Sequence, residues 1–189
     1  MKTAGLTLAC GLAFGVAMAS GQGQAPAGTP APPASIGAEV NGFYTTIAGY
    51  ISRSAAMVPQ EKLSYQPTPE VRTFARMFGH IIDDNNGACW SLGGLTAAPA
   101  RLDTPATSES AAAKLSKADL QKALDDSIAL CQKAFAAITP ANMMEPAGRG
   151  SRTKLGMLIY NTSHINEHYG NLVTYLRLNG MTPPSSAGR

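Results

Sequence analysis

Leu155, Leu158, Thr162, Ile165, Tyr169, Leu172 and Leu176 follow one another at spacings of three or four residues. Only a helix brings such positions onto one face. The rhythm predicts a helix over about 151–179. Gly180 is placed to cap it, and Pro183-Pro184 prevents its continuation. Three further segments repeat the pattern. Val40, Tyr44, Ile47, Ile51, Ser54 and Val58 mark a helix over about 38–58, stopped by Pro59. Val71, Phe74, Phe78, Ile81, Ile82, Cys89 and Leu92 mark one over about 69–92, with Thr68 as N-cap and Pro69 in its first turn. Leu120, Leu124, Ile128, Cys131, Phe135 and Ile138 mark one over about 117–138, opened by Ser116 with Asp119 three residues on. No segment shows strand alternation between hairpin turns. The fold class expected is all-α, a four-helix bundle. The link 93–115 is long for a bundle loop and is free to cross one end or to cover a site.

The bundle accounts for residues 37–189. Ahead of it, residues 1–19 read as a signal peptide. Lys2 is the only charge before Glu39, an apolar run extends from Ala4 to Ala19, and Ala17-Met18-Ala19 has the small-x-small form that signal peptidase cuts. Residues 20–36, rich in Pro, Ala and Gly, contain too little apolar bulk to pack and read as a disordered linker. These features place the protein outside the cytoplasm, periplasmic or secreted, with no stable membrane insertion once the signal is removed. Cleavage after Ala19 leaves 14 basic and 12 acidic residues, a net charge of +2 with no basic run. That excludes nucleic acid as the expected partner. Two cysteines remain, Cys89 and Cys131, which export permits to pair. Each also suits a small buried apolar position, so the sequence leaves the disulfide open.

The chain contains three histidines, His80, His164 and His168. On a helix, His168 lies about 40° from His164, one turn along. The two flank the apolar stripe, on a polar strip with Asn161, Asn171 and Tyr175. Such a pair can hold one ion, and it is also what an exposed helix flank would carry. His80, inside another helix, is the natural third ligand, since bundle metal sites draw inward-facing groups from different helices. Asp83, Asp84, Asn161 and Glu167 are candidates to accept the second ring N–H of the histidines. Glu167 and Asp84 are also weak candidates for proton carriers in catalysis. Cys89, about 180° round the helix from His80, is a poor ligand.

"HINEHYGNLVTYLRLNGMTPPSS" and "LSYQPTPEVRTFARMFGHIID" resemble the last-helix and second-helix regions of the DinB-like (DinB/YfiT) family of metal-binding proteins, and of an exported branch in particular. The resemblance runs from about Phe43 to Ser186 and is weakest in "AAPARLDTPATSESAAAK". It implies a four-helix bundle with His80, His164 and His168 as ligands to a divalent cation, zinc or nickel. It does not fix a reaction. Some members transfer low-molecular-weight thiols, and a three-histidine site leaves a coordination position open. A metal-dependent enzyme of hydrolase or thiol-transferase type, acting on an unknown small molecule, is therefore expected. The alternative is a non-catalytic exported module that binds metal or a small ligand. A homodimer is compatible with either.

Overall fold

The computed structural model describes Met1 and residues 35–103, 110–148 and 150–187. The signal-peptide reading of 1–19, Met1 apart, and the linker reading of 20–34 lie outside the described residues. Helix α1 spans Ile36–Met57, α2 Phe74–Cys89, α3 Lys117–Ala136 and α4 Lys154–Leu178. Short 3₁₀ turns lie at Gln60–Lys62 and Ala111–Lys114. No strand occurs among the described residues, and no helix among them is long and apolar enough to cross a membrane.

Caps explain most boundaries. Ser35 accepts from Ala38 N–H and starts α1, so Ser35 and Ile36 belong to the bundle rather than to the linker. Ser116 accepts from Asp119 N–H and donates to the Asp119 carboxylate, which opens α3. The end of α4 is a Schellman turn: Gly180, at φ 72°, lets Met181 N–H reach Leu176 C=O and Gly180 N–H reach Arg177 C=O. The start of α2 differs from expectation. Thr73 is the N-cap, accepting from Arg76 N–H, and Thr68-Pro69 lies in a preceding turn. Phe74 and Ala75 donate their N–H groups back to Tyr65 and Leu63. Val71, expected on the apolar stripe, is exposed.

Helix directions follow from contacts at matched positions. Ser52 donates to Asp125, and Lys117 Nζ donates to Ala56 C=O, so α1 and α3 are antiparallel. Asn85 bonds Asn161 while Phe74 meets Tyr175 edge-on, so α2 and α4 are antiparallel. Asn85 bonds Ser127, and Cys89 is disulfide-bonded to Cys131 with Cα atoms 5.0 Å apart. Both pairs advance by four residues together, so α2 and α3 run parallel. Antiparallel packing, the simplest expectation for consecutive helices, would set Cys89 against the start of α3 and spoil this pairing. The 93–115 link is long because it must return along the bundle before α3 can begin. It passes against Gly79 on α2: a Cβ there would lie 2.5 Å from Ala112 Cβ. The link therefore packs beside His80, the next residue. The core between the helices is built from Tyr44, Phe74, Phe78, Leu124, Leu158, Ile165 and Leu172, all fully buried.

Candidate metal centre

Two helical i, i+4 pairs face each other. His80 and Asp84 project from α2, and His164 and His168 project from the antiparallel α4. Each pair shares one face because four residues span about one turn. One ligand atom from each of the four residues lies within 4.8 Å of all the others. Asp84 Oδ2 is 3.5 Å from His80 Nε2, 3.5 Å from His168 Nε2 and 3.7 Å from His164 Nδ1. The rings of His164 and His168 are 4.6 Å apart and those of His80 and His168 4.7 Å. The structure thus brings the three histidines together and adds Asp84 as a fourth donor at the same point.

The polar atoms here lack partners. Asp84 Oδ2 and both ring nitrogens of His168 are buried without a hydrogen bond. Elsewhere among the described residues such atoms occur singly, at Asn41, Trp90 and Gln121. An unpaired buried polar atom is costly, and Asp84 Oδ2 and His168 Nε2, 3.5 Å apart, are placed to share a cation. Electrostatics agree. Burial, then the charge of Arg72, lowers the His80 pKa to about 4. Burial, then His80 and His164, lowers that of His168 to about 4. At neutral pH both rings are uncharged and offer lone pairs. Burial raises Asp84 to about 6, against the opposing pull of His164. Three imidazoles and one carboxylate are donors suited to zinc and to nickel.

The surroundings of His80 depart from expectation. Its Nδ1 faces Asp103 Oδ2 at 3.6 Å and Arg72 Nη2 at 3.3 Å. Asp103 also takes a hydrogen bond each from Arg72 and Arg76. Burial would raise the Asp103 pKa, but these two arginines outweigh it and hold the carboxylate ionised. Asp83, expected to accept from a ligand histidine, instead accepts the backbone N–H groups of Leu102 and Asp103. It fastens the link that carries Asp103. Asn161 also serves elsewhere, donating to Asn85 Oδ1 inside the bundle. Glu167 is exposed and outside the cluster. Tyr169 is buried, stacks on Tyr50, and its hydroxyl accepts from Ser185 N–H. Cys89 is committed to its disulfide.

Asp84 and His164 also form part of the wall of a cavity of about 450 Å³, so the cluster is open to a small molecule on that side. No curated protein is similar enough in sequence to register as a relative. A family model of the DinB superfamily matches residues 47–172, which takes in all four cluster residues. The chain belongs to the DinB superfamily.

Proposed function

We propose that His80, His164, His168 and Asp84 hold one divalent cation, zinc or nickel, at the active site of an exported metal-dependent enzyme of hydrolase or thiol-transferase type. The observation that carries this reading is the meeting of ring nitrogens from His80, His164 and His168 within 3.7 Å of Asp84 Oδ2, with that oxygen and His168 Nε2 both buried and without a hydrogen bond. Such an ion supplies a Lewis acid that lowers the pKa of a water or thiol bound to it. The chain's own groups do the rest. Burial keeps the rings of His80 and His168 neutral, Asp103 faces Nδ1 of His80, and the adjoining cavity admits the substrate. Metal analysis of the untagged mature protein is expected to find about one ion per chain, and none in a His164→Ala/His168→Ala variant. Equal content in both would refute the assignment.

A second reading has a specific observation in its favour. Asp84 supplies a fourth protein donor, and closed four-ligand sites are usually structural. In that case the ion only fastens α2 to α4. Cobalt-loaded protein separates the two: a visible spectrum that changes on adding 2-mercaptoethanol supports the open, catalytic site. An unchanged spectrum supports the structural one.

A further inference from the structure

The cavity beside the cluster has a second kind of wall. Arg152 lies with its guanidinium carbon 3.9 Å from the centre of the Tyr160 ring, and the Tyr160 and His164 rings are 5.4 Å apart. The guanidinium carbon is thus no more than 9.3 Å from the His164 ring centre, the sum of the two separations. Arg101 lines the same cavity. Stacking on an aromatic face fixes a guanidinium while leaving the N–H groups on its edge free to bind. No carboxylate among the described residues pairs with Arg152. The acidic groups of the wall are already engaged. Asp83 accepts two backbone N–H groups and lies 3.5 Å from Arg101, and Asp84 belongs to the cluster. A chain with only 14% charged residues has placed two arginines on one cavity.

We propose that this cavity takes a small oxyanion, a carboxylate or a phosphate monoester. Arg152 grips its charged end from the Tyr160 ring, with Arg101 as a second cation, and its reacting end reaches the cluster at Asp84 and His164. The placement of the reacting end rests on the metal-centre reading; the anion grip does not. A guanidinium edge matches both oxyanions in two-point hydrogen bonds. The apolar remainder of the wall, including Ala98, Pro99 and Met157, suits a short hydrocarbon between the two ends. The span of at most 9.3 Å selects molecules of a few heavy atoms.

Two thiols of equal length test this on cobalt-loaded full-length protein: 3-mercaptopropionate and the neutral 3-mercapto-1-propanol. Binding is read from the visible cobalt spectrum. The carboxylate is expected to bind at least about tenfold tighter, the scale of one charge-assisted hydrogen bond. Arg152→Gln should remove that preference, with affinity for the neutral thiol and cobalt content both unchanged. Arg152→Lys should restore it only in part. Inorganic phosphate, added as competitor, decides between the oxyanions by whether it displaces the carboxylate more effectively than acetate does. Equal affinity for the two thiols, or a preference that survives Arg152→Gln, overturns the proposal. A protein that binds no cobalt refutes the metal centre alone. The grip is then read on metal-free protein from the ¹⁵N shifts of the arginine side chains. Saturable shifts with 3-mercaptopropionate or phosphate, lost in Arg152→Gln, support it, and their absence overturns it.

Discussion

Asp84 and Asn85 are neighbours on α2, yet they belong to two opposite kinds of buried polar cluster. Asn85 sits at a layer to which every helix contributes one residue. Its Oδ1 accepts from the Tyr44 hydroxyl of α1 and from Asn161 Nδ2 of α4, and its Nδ2 donates to Ser127 Oγ of α3. Ser127 in turn donates to Leu124 C=O. Asp84, one residue earlier, meets three imidazoles, and its Oδ2 has no hydrogen bond. Both clusters bridge α2 and α4. The difference teaches what each is for. A polar layer closed on itself fixes which helix faces which. A cluster left open costs stability and persists where something else completes it.

Four expectations follow from that contrast, ordered by size. The Cys89–Cys131 bridge belongs to the closed side and ties α2 to α3 one turn beyond Asn85 and Ser127. Its loop of 42 residues is worth roughly 4 kcal/mol in the chain-entropy model. Replacing both cysteines by Ala should lower Tm by about 10 °C and leave metal content alone. An unchanged Tm would mean that the polar layer holds the two helices without help. Next, Asn85→Ala should cost about 1–3 kcal/mol, the penalty for a buried polar group left unsatisfied, seen in denaturant unfolding, again at constant metal stoichiometry. Lost metal binding in this variant would show that the two clusters are one. Asp103→Asn should do the reverse. Metal affinity should fall about 10–100-fold, measured by chelator competition, and an unaltered affinity would remove Asp103 from the centre.

The smallest effect concerns pH in the metal-free protein. His80 and His168 have folded pKa values of about 4 against an ordinary 6.5. Between those values the unfolded chain binds two protons that the folded one refuses, so stability is lost as pH falls. Asp84 opposes this, because its folded value of about 6 lies above the ordinary 3.8. Two sites outweigh one. Tm should therefore fall modestly from pH 6.5 toward 4, before the arginine-paired Asp103 contributes below about 3.8. Asn85→Ala should keep that slope, whereas His80→Gln/His168→Gln should flatten or reverse it. A Tm independent of pH over this range would contradict the burial of the two rings.

Periodicity revealed all four helices, because apolar positions at three and four residues reflect the core directly. It misplaced the start of α2 because Thr68-Pro69-Glu70 spells a helix start as well as Thr73 does. Only the backbone bonds of Phe74 and Ala75 to Tyr65 and Leu63 decide between them. Helix direction is not encoded in periodicity, so the parallel run of α2 and α3 was hidden behind the 93–115 link. In the cluster the histidines stood out by rarity and spacing. Asp84 stands four residues after His80, the same spacing as His164 to His168, and that symmetry was a legible sign of a fourth donor. Asp103, Arg101 and Arg152 carried no local sign. They lie in connections whose course depends on tertiary contacts such as Gly79 against Ala112.

The central claim is that the open cluster is completed by an ion. Melting wild type and Asp84→Asn, each with and without zinc, tests it most directly. Without zinc the variant should melt at or above the wild-type temperature, since it removes a carboxylate whose buried Oδ2 has no hydrogen bond. At a free zinc concentration 100 times Kd, the wild type should gain about 2.7 kcal/mol, or about 5–10 °C, and the variant at the same concentration much less. A variant that melts well below the wild type without zinc, with zinc shifting neither protein, would contradict the account.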